Sequence, residues 1–144
     1  MKKTVIAIWG TGKQGKSETI KSINENLEVE FPNLKRQIIN DSADITVILT
    51  IKKIKIGIES QGDPGSRIFK SLKLFTKSKC QIIICASRTS GSTVNAISEL
   101  NGKYGYEIIW TANYTSKEKQ HRPLNKLFSN NIIHLIKLII EDRL

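Results

Sequence analysis

Gly10-Thr11-Gly12-Lys13-Gln14-Gly15-Lys16-Ser17 is a G-x-x-x-x-G-K-[ST] octapeptide, and its flanks give it a structural setting. Before it, Thr4-Val5-Ile6-Ala7-Ile8-Trp9 is a β-branched apolar run that reads as a buried strand. After it, Ile20, Ile23 and Leu27 recur at spacings of three and four, as on the apolar face of a helix. Strand, glycine-rich loop and helix in this order suit phosphate. Gly10 and Gly15 permit a tight turn at dihedrals that side chains resist. Such a turn aims consecutive N–H groups at one point, beside the positive end of the helix. Lys16 adds a mobile ammonium for the outer phosphates, and the Ser17 hydroxyl offers an oxygen to Mg²⁺.

The stretch resembles the Walker A motif of the P-loop NTPases over residues 4–30. The resemblance implies that Gly10, Gly12, Lys13, Gly15, Lys16 and Ser17 hold a nucleoside triphosphate and its Mg²⁺, with Thr11, Gln14 and Glu18 completing the segment. Strands alternating with helices along the chain indicate the fold, an α/β three-layer sandwich with a mainly parallel central sheet, which the resemblance makes P-loop NTPase-like.

A second centre follows from Ile45–Ile51 and Ile54–Glu59, where Ile54, Ile56 and Ile58 alternate onto one face. These runs predict an antiparallel hairpin at about 45–59, although Lys52-Lys53 is a poor sequence for a two-residue turn. The hairpin leads into Glu59-Ser60-Gln61-Gly62-Asp63-Pro64-Gly65-Ser66. A strand ending in an acid is where a P-loop protein positions Mg²⁺ and the attacking group. Glu59 and Asp63 are therefore the candidate metal and catalytic carboxylates, Lys16 and Gln61 join them as catalytic candidates, and Gly62 is assigned to the nucleotide. Glu59-x-x-Gly62 resembles the D-x-x-G switch of GTPases, with a longer acid that reaches a metal through water.

The other segments supply the frame. Leu34–Ile39 reads as a second strand, Gln81–Ala86 as a central parallel strand and Tyr106–Thr111 as the last. Ser66 fits the N-cap of a helix running to Lys77. Helices also follow Ser87–Thr93 and begin near Pro123. Arg88, just after a strand, lies where it reaches either a phosphate or the solvent rim. Arg67, Lys70, Lys73 and Lys77 recur on one side of the 67–77 helix, either as a solvated face or as an anion-binding one.

A length of 144 residues suits one domain, 1–144, of ordinary globular composition. Cys80 and Cys85 lack metal-ligand spacing and read as reduced, packed thiols, which favours the cytoplasm. Met1-Lys2-Lys3 precedes too short an apolar run for a signal peptide, and no segment is long enough to span a bilayer. The net charge of +10 implies attraction to polyanions, and because nucleotide phosphates need only a few of these cations it leaves room for a second anionic partner.

Guanine selection in GTPases uses an N-K-x-D motif after a strand; here the matching strand ends in Cys85-Ala86-Ser87-Arg88, which favours ATP over GTP. Three functional classes stay open. One is an Mg²⁺-dependent ATP hydrolase in which Gln61 or Asp63 orients water. Another is a small kinase, with Asp63 accepting a hydroxyl proton while Arg67 and Arg88 hold the acceptor. The third is a GTPase-like nucleotide-responsive module whose basic 67–77 helix docks on nucleic acid or an acidic protein.

Overall fold

Alternation along the strands decides the architecture. The computed structural model describes residues 1–10, 15–63, 65–116 and 121–144. Its elements run β1 (Thr4–Trp9), α1 (Lys16–Glu30), β2 (Lys35–Asp41), β3 (Ile45–Ile51), β4 (Ile54–Glu59), α2 (Ile68–Lys77), β5 (Ile82–Ser87), α3 (Ser92–Tyr104), β6 (Glu107–Thr111) and α4 (His121–Ile140). In β1, Ile6 and Ile8 join a core with Ile20, Ile23 and Leu27 of α1 and Phe128, Ile132 and Ile136 of α4. Val5 and Ala7 point the other way, into a core with Leu72 and Phe75 of α2 and Ile97 and Leu100 of α3. Odd and even positions of one strand thus feed two cores, with helices covering both faces of the sheet. That is a sheet between two helical layers.

The six strands form one sheet in the order β2-β3-β4-β5-β1-β6. β4–β5, β5–β1 and β1–β6 pair in parallel, while β2–β3 and β3–β4 pair antiparallel. The sheet is therefore mixed. The expected hairpin forms with Ile51 opposite Ile54. The Lys52-Lys53 turn achieves this with φ of 50° and 70°, the left-handed pair required by the commonest two-residue hairpin turn.

Local chemistry shapes the helices. Gly57 faces α2, where a Cβ would meet the Phe75 ring at 2.5 Å, so the absent side chain lets the ring lie on β4. α2 starts one residue later than its predicted cap: Arg67 occupies the N-cap, and the Ser66 hydroxyl accepts only a long 3.4 Å bond from the Ile68 N–H. Its other end closes with Lys79 at φ 62°, the Lys79 N–H bonding Thr76 O and the Cys80 N–H bonding Phe75 O. Cys80 and Cys85 are both buried free thiols, and burial pushes each pKa up to about 12. No helix among the described residues is long and apolar enough to cross a membrane.

Candidate functional site

β1 and β5 are neighbours whose chains leave in opposite directions: α1 leads toward the β2–β4 side, whereas α3 crosses to β6. Ligand crevices form at the carboxyl ends of such strand pairs. Here that edge opens on a cavity of about 820 Å³. Gly15, Lys16, Ser17 and Glu18 line one side, Asp44 and Ser60–Asp63 a second, and Tyr114, Thr115, Ser116 and Asn125 a third.

Gly15 caps α1 in the left-handed region at φ 74°, and a Cβ there would meet Asn125 Nδ2 at 2.9 Å. The next residue carries the charge. Lys16 is buried, and its Nζ donates to Gly10 O at 2.7 Å and Ser87 O at 2.8 Å. The Gly10 N–H also bonds Ser87 O, so the ends of β1 and β5 are stitched together at this point. Burial lowers the Lys16 pKa, the Arg88 charge lowers it further, and Asp63 acts in the opposite sense. An ammonium shared between two neutral carbonyls is an under-compensated cation facing a polar cavity. Thr11, Gly12, Lys13 and Gln14, expected around the phosphates, lie outside the described residues, as does Pro64.

Ser17 meets an acid, but not one of those expected. Its hydroxyl donates to Asp44 Oδ1 at 2.6 Å, and Ser60 Oγ donates to the same oxygen at 2.7 Å. Ser60 Oγ in turn accepts the Ile45 N–H at 2.8 Å. Burial pushes the Asp44 carboxyl up, but hydrogen bonds from Ser17, Ser60 and Gln61 and the nearby Lys21 charge outweigh it and hold the pKa below 3.8. Asp44 is the functional candidate that sequence reasoning missed. It precedes β3, and because β3 runs antiparallel to β4, the head of β3 shares the edge where β4 ends.

Glu59 lies elsewhere. The alternation that sends Ile56 and Ile58 to the α1/α4 core sends Gly57 and Glu59 toward α2. Glu59 is fully buried and does not line the cavity. Its Oε1 accepts from Ser71 Oγ, from Thr46 Oγ1 at 2.6 Å and from Arg67 Nε at 3.2 Å. Its Oε2 accepts the Gln61 N–H at 3.0 Å. The carboxylate expected on Mg²⁺ and in catalysis is thus a clamp joining β3, the 59–61 loop and α2, on the other face of the sheet from α1.

The remaining candidates divide. Gln61 and Gly62 line the cavity, with Gln61 Oε1 accepting the Arg67 N–H at 3.3 Å. Gly62 packs on β5 so closely that a Cβ would meet the Ala86 carbonyl carbon at 2.4 Å. Asp63 lines the cavity and accepts from Arg88 Nε at 2.7 Å, while Arg88 itself stands outside the lining. Arg67 turns inward to Glu59 and Thr46, so it does not belong to the exposed basic face; Lys70, Lys73 and Lys77 do.

Ser17 and Asp44 are hard oxygen donors of the kind Mg²⁺ takes, alongside waters and phosphate. Among the described residues, no three His, Cys, Asp or Glu side chains gather to hold a metal unaided. Compared with known protein families, curated proteins and solved structures, the chain matches none.

Proposed function

We propose that the chain binds a Mg²⁺-nucleoside triphosphate, ATP for preference, at the carboxyl edge of the sheet and hydrolyses its γ-phosphate. One observation carries the reading. The buried Lys16 ammonium and the Ser17–Asp44 pair stand on consecutive residues at the start of α1, giving an anion site beside a cation site. Lys16 exchanges its two neutral carbonyl acceptors for phosphate oxygens, a stronger charge-assisted bond. Ser17 would offer an oxygen lone pair to the metal while its hydroxyl keeps donating to Asp44, whose low pKa keeps it an acceptor at neutral pH. When bound, Mg²⁺ neutralises charge on the β- and γ-phosphates. Gln61 and Asp63, on the opposite wall, are placed to orient a water. Tyr114, held edge-on to Phe128 at 5.3 Å and 41% exposed, offers its ring to the base.

Calorimetric titration with ATP and GTP, with and without Mg²⁺, tests the reading together with a phosphate-release assay. We expect Mg²⁺-enhanced ATP binding and slow phosphate release. A folded protein giving no binding signal with either nucleotide overturns it.

A further inference from the structure

The opposite edge of the sheet carries a second cavity, of about 610 Å³. Lys3 reaches it from before β1, Lys53 and Lys55 from the head of β4, and Lys79 from before β5. Tyr104 and Tyr106 enter from before β6. None of its lining residues is acidic, and Glu107, next along the chain, stands outside it. Strands of six residues separate this edge from the nucleotide cavity by about 20 Å.

Lys3 Nζ donates to Tyr104 O and sits 4.8 Å from the centroid of the Tyr106 ring. Lys55 Nζ reaches Ser78 O at a long 3.4 Å. Among the described residues, no carboxylate lies within ion-pair distance of any of the four lysines.

The backbone supplies an independent observation. Lys53 and Lys79 adopt φ of 70° and 62°, in the left-handed region where glycine or asparagine is the usual occupant. Two lysines therefore stand at positions whose backbone disfavours a Cβ, and both line one cavity. Strained positions of this kind cluster at binding sites. Beside them Tyr104 is 47% exposed. Lysines in a groove with an open aromatic ring match a polymer of phosphates with unpaired bases: cations follow the backbone, and the ring stacks on a base. A duplex hides its base faces, and a free phosphate has none.

We infer that the amino edge of the sheet binds single-stranded nucleic acid, with Lys3, Lys53, Lys55 and Lys79 on its phosphates and Tyr104 against a base. This site shares no lining residue with the nucleotide cavity.

Fluorescence anisotropy tests it, with the full chain, a labelled single strand of about 12 nucleotides and excess Mg²⁺-ATP to keep oligonucleotide phosphates from the other edge. Four phosphate contacts give a log–log salt slope of about −2.8, or about 50-fold weaker binding between 50 and 200 mM salt. The Lys53→Gly/Lys79→Gly variant halves that slope to about −1.4. It also raises the melting temperature, because glycine relieves both left-handed positions, so lost binding is not lost folding. Tyr104→Leu weakens binding by about 5- to 150-fold. An unchanged slope in the double-glycine variant overturns the proposal. So does equal competition by duplex or tripolyphosphate combined with an inert Tyr104→Leu. Binding to anionic lipid vesicles with none to the oligonucleotide overturns it as well.

Discussion

Ser17 donates its hydroxyl to Asp44 at 2.6 Å, joining the first turn of α1 to the residue that precedes β3. Only one end of that bond lies in the glycine-rich loop sequence. The pair has a direct consequence for metal dependence. Asp44→Asn keeps the size of the side chain but loses the charge on which the proposed cation site depends. The Mg²⁺-dependent gain in nucleotide affinity should disappear, while affinity measured in excess chelator should stay within about twofold. Calorimetry with and without metal checks this, and retention of the full Mg²⁺ gain would falsify the assignment. The pH signature is separate. Because the folded pKa lies below 3.8, Asp44 contributes stability above that value and loses it as pH falls through the folded pKa. Wild type and Asp44→Asn should therefore differ in the pH dependence of their unfolding only below about pH 4.

Lys16→Met removes a charge-assisted donor worth roughly 1.5–3 kcal/mol for each phosphate bond, so nucleotide affinity should drop by about 10- to 150-fold per bond lost. Trp9, next to Gly10 and 39% exposed, gives a fluorescence readout. Stability should move the other way. The folded pKa of Lys16 is lowered from 10.5, so in the window below 10.5 the unfolded chain binds this proton more tightly. Wild-type stability then gains from rising pH across that window, and the variant's advantage shrinks. Urea unfolding of both proteins from pH 7 upward measures the difference; parallel curves would count against the buried ammonium.

Glu59 should behave as a structural acid. Glu59→Ala leaves Arg67 without its carboxylate, the kind of change that costs about 3–5 kcal/mol in a buried pair. For a chain of this size that corresponds to roughly 6–20 °C in melting temperature. If the variant folds at low temperature, its Mg²⁺ dependence should persist. A normal melting temperature with abolished metal dependence would return Glu59 to the metal.

Two glycines three residues apart, Gly62 and Gly65, separate steric from backbone demands. Gly62→Ala drives a Cβ to 2.4 Å from the Ala86 carbonyl carbon, so the 60–63 loop must shift. Overpacking of this kind costs about 1–3 kcal/mol, and nucleotide affinity should fall with it. At Gly65 a Cβ would meet nothing within 4 Å, and only φ 76° opposes it. Gly65→Ala should cost about 1 kcal/mol through the backbone alone and leave affinity nearly intact. Thermal melts and titrations of both variants supply the comparison, and equal effects would remove the packing argument.

The hairpin turn can be improved. Lys52→Asn with Lys53→Gly suits both left-handed residues, where an ordinary L side chain costs roughly 1–2 kcal/mol. The double variant should melt at least about 2 °C higher. A lower melting temperature would show that the lysine side chains support the turn.

Much of the fold was legible because single residues carried unambiguous periodicity. Ile54, Ile56 and Ile58 announced a strand, and Ile20, Ile23 and Leu27 announced the helix after the loop. The same alternation contained the answer for Glu59. It shares parity with Gly57 rather than with Ile58, which places it under α2. Asp44 was harder to see. A rule that looks for acids where strands end passes over a residue where one begins, and only the antiparallel pairing reverses that strand's edge. Arg67 looked like one of a row of exposed cations at helical spacing, yet at the N-cap its side chain leaves the row and folds back onto Glu59. Spacing cannot report that, because the cap residue does not have helical geometry.

The Glu59 clamp also makes α2 a physical link between the two edges of the sheet. Ten residues at 1.5 Å each make a rod about 15 Å long, seated at one end on the loop that lines the cavity proposed for the nucleotide and ending at the other beside Lys79. Glu59 fastens the near end through Ser71 and Arg67 and also holds the Gln61 N–H of that loop. Reciprocity then constrains any traffic along it: a nucleotide that changes affinity at the far end by some factor must have its own affinity changed by that same factor.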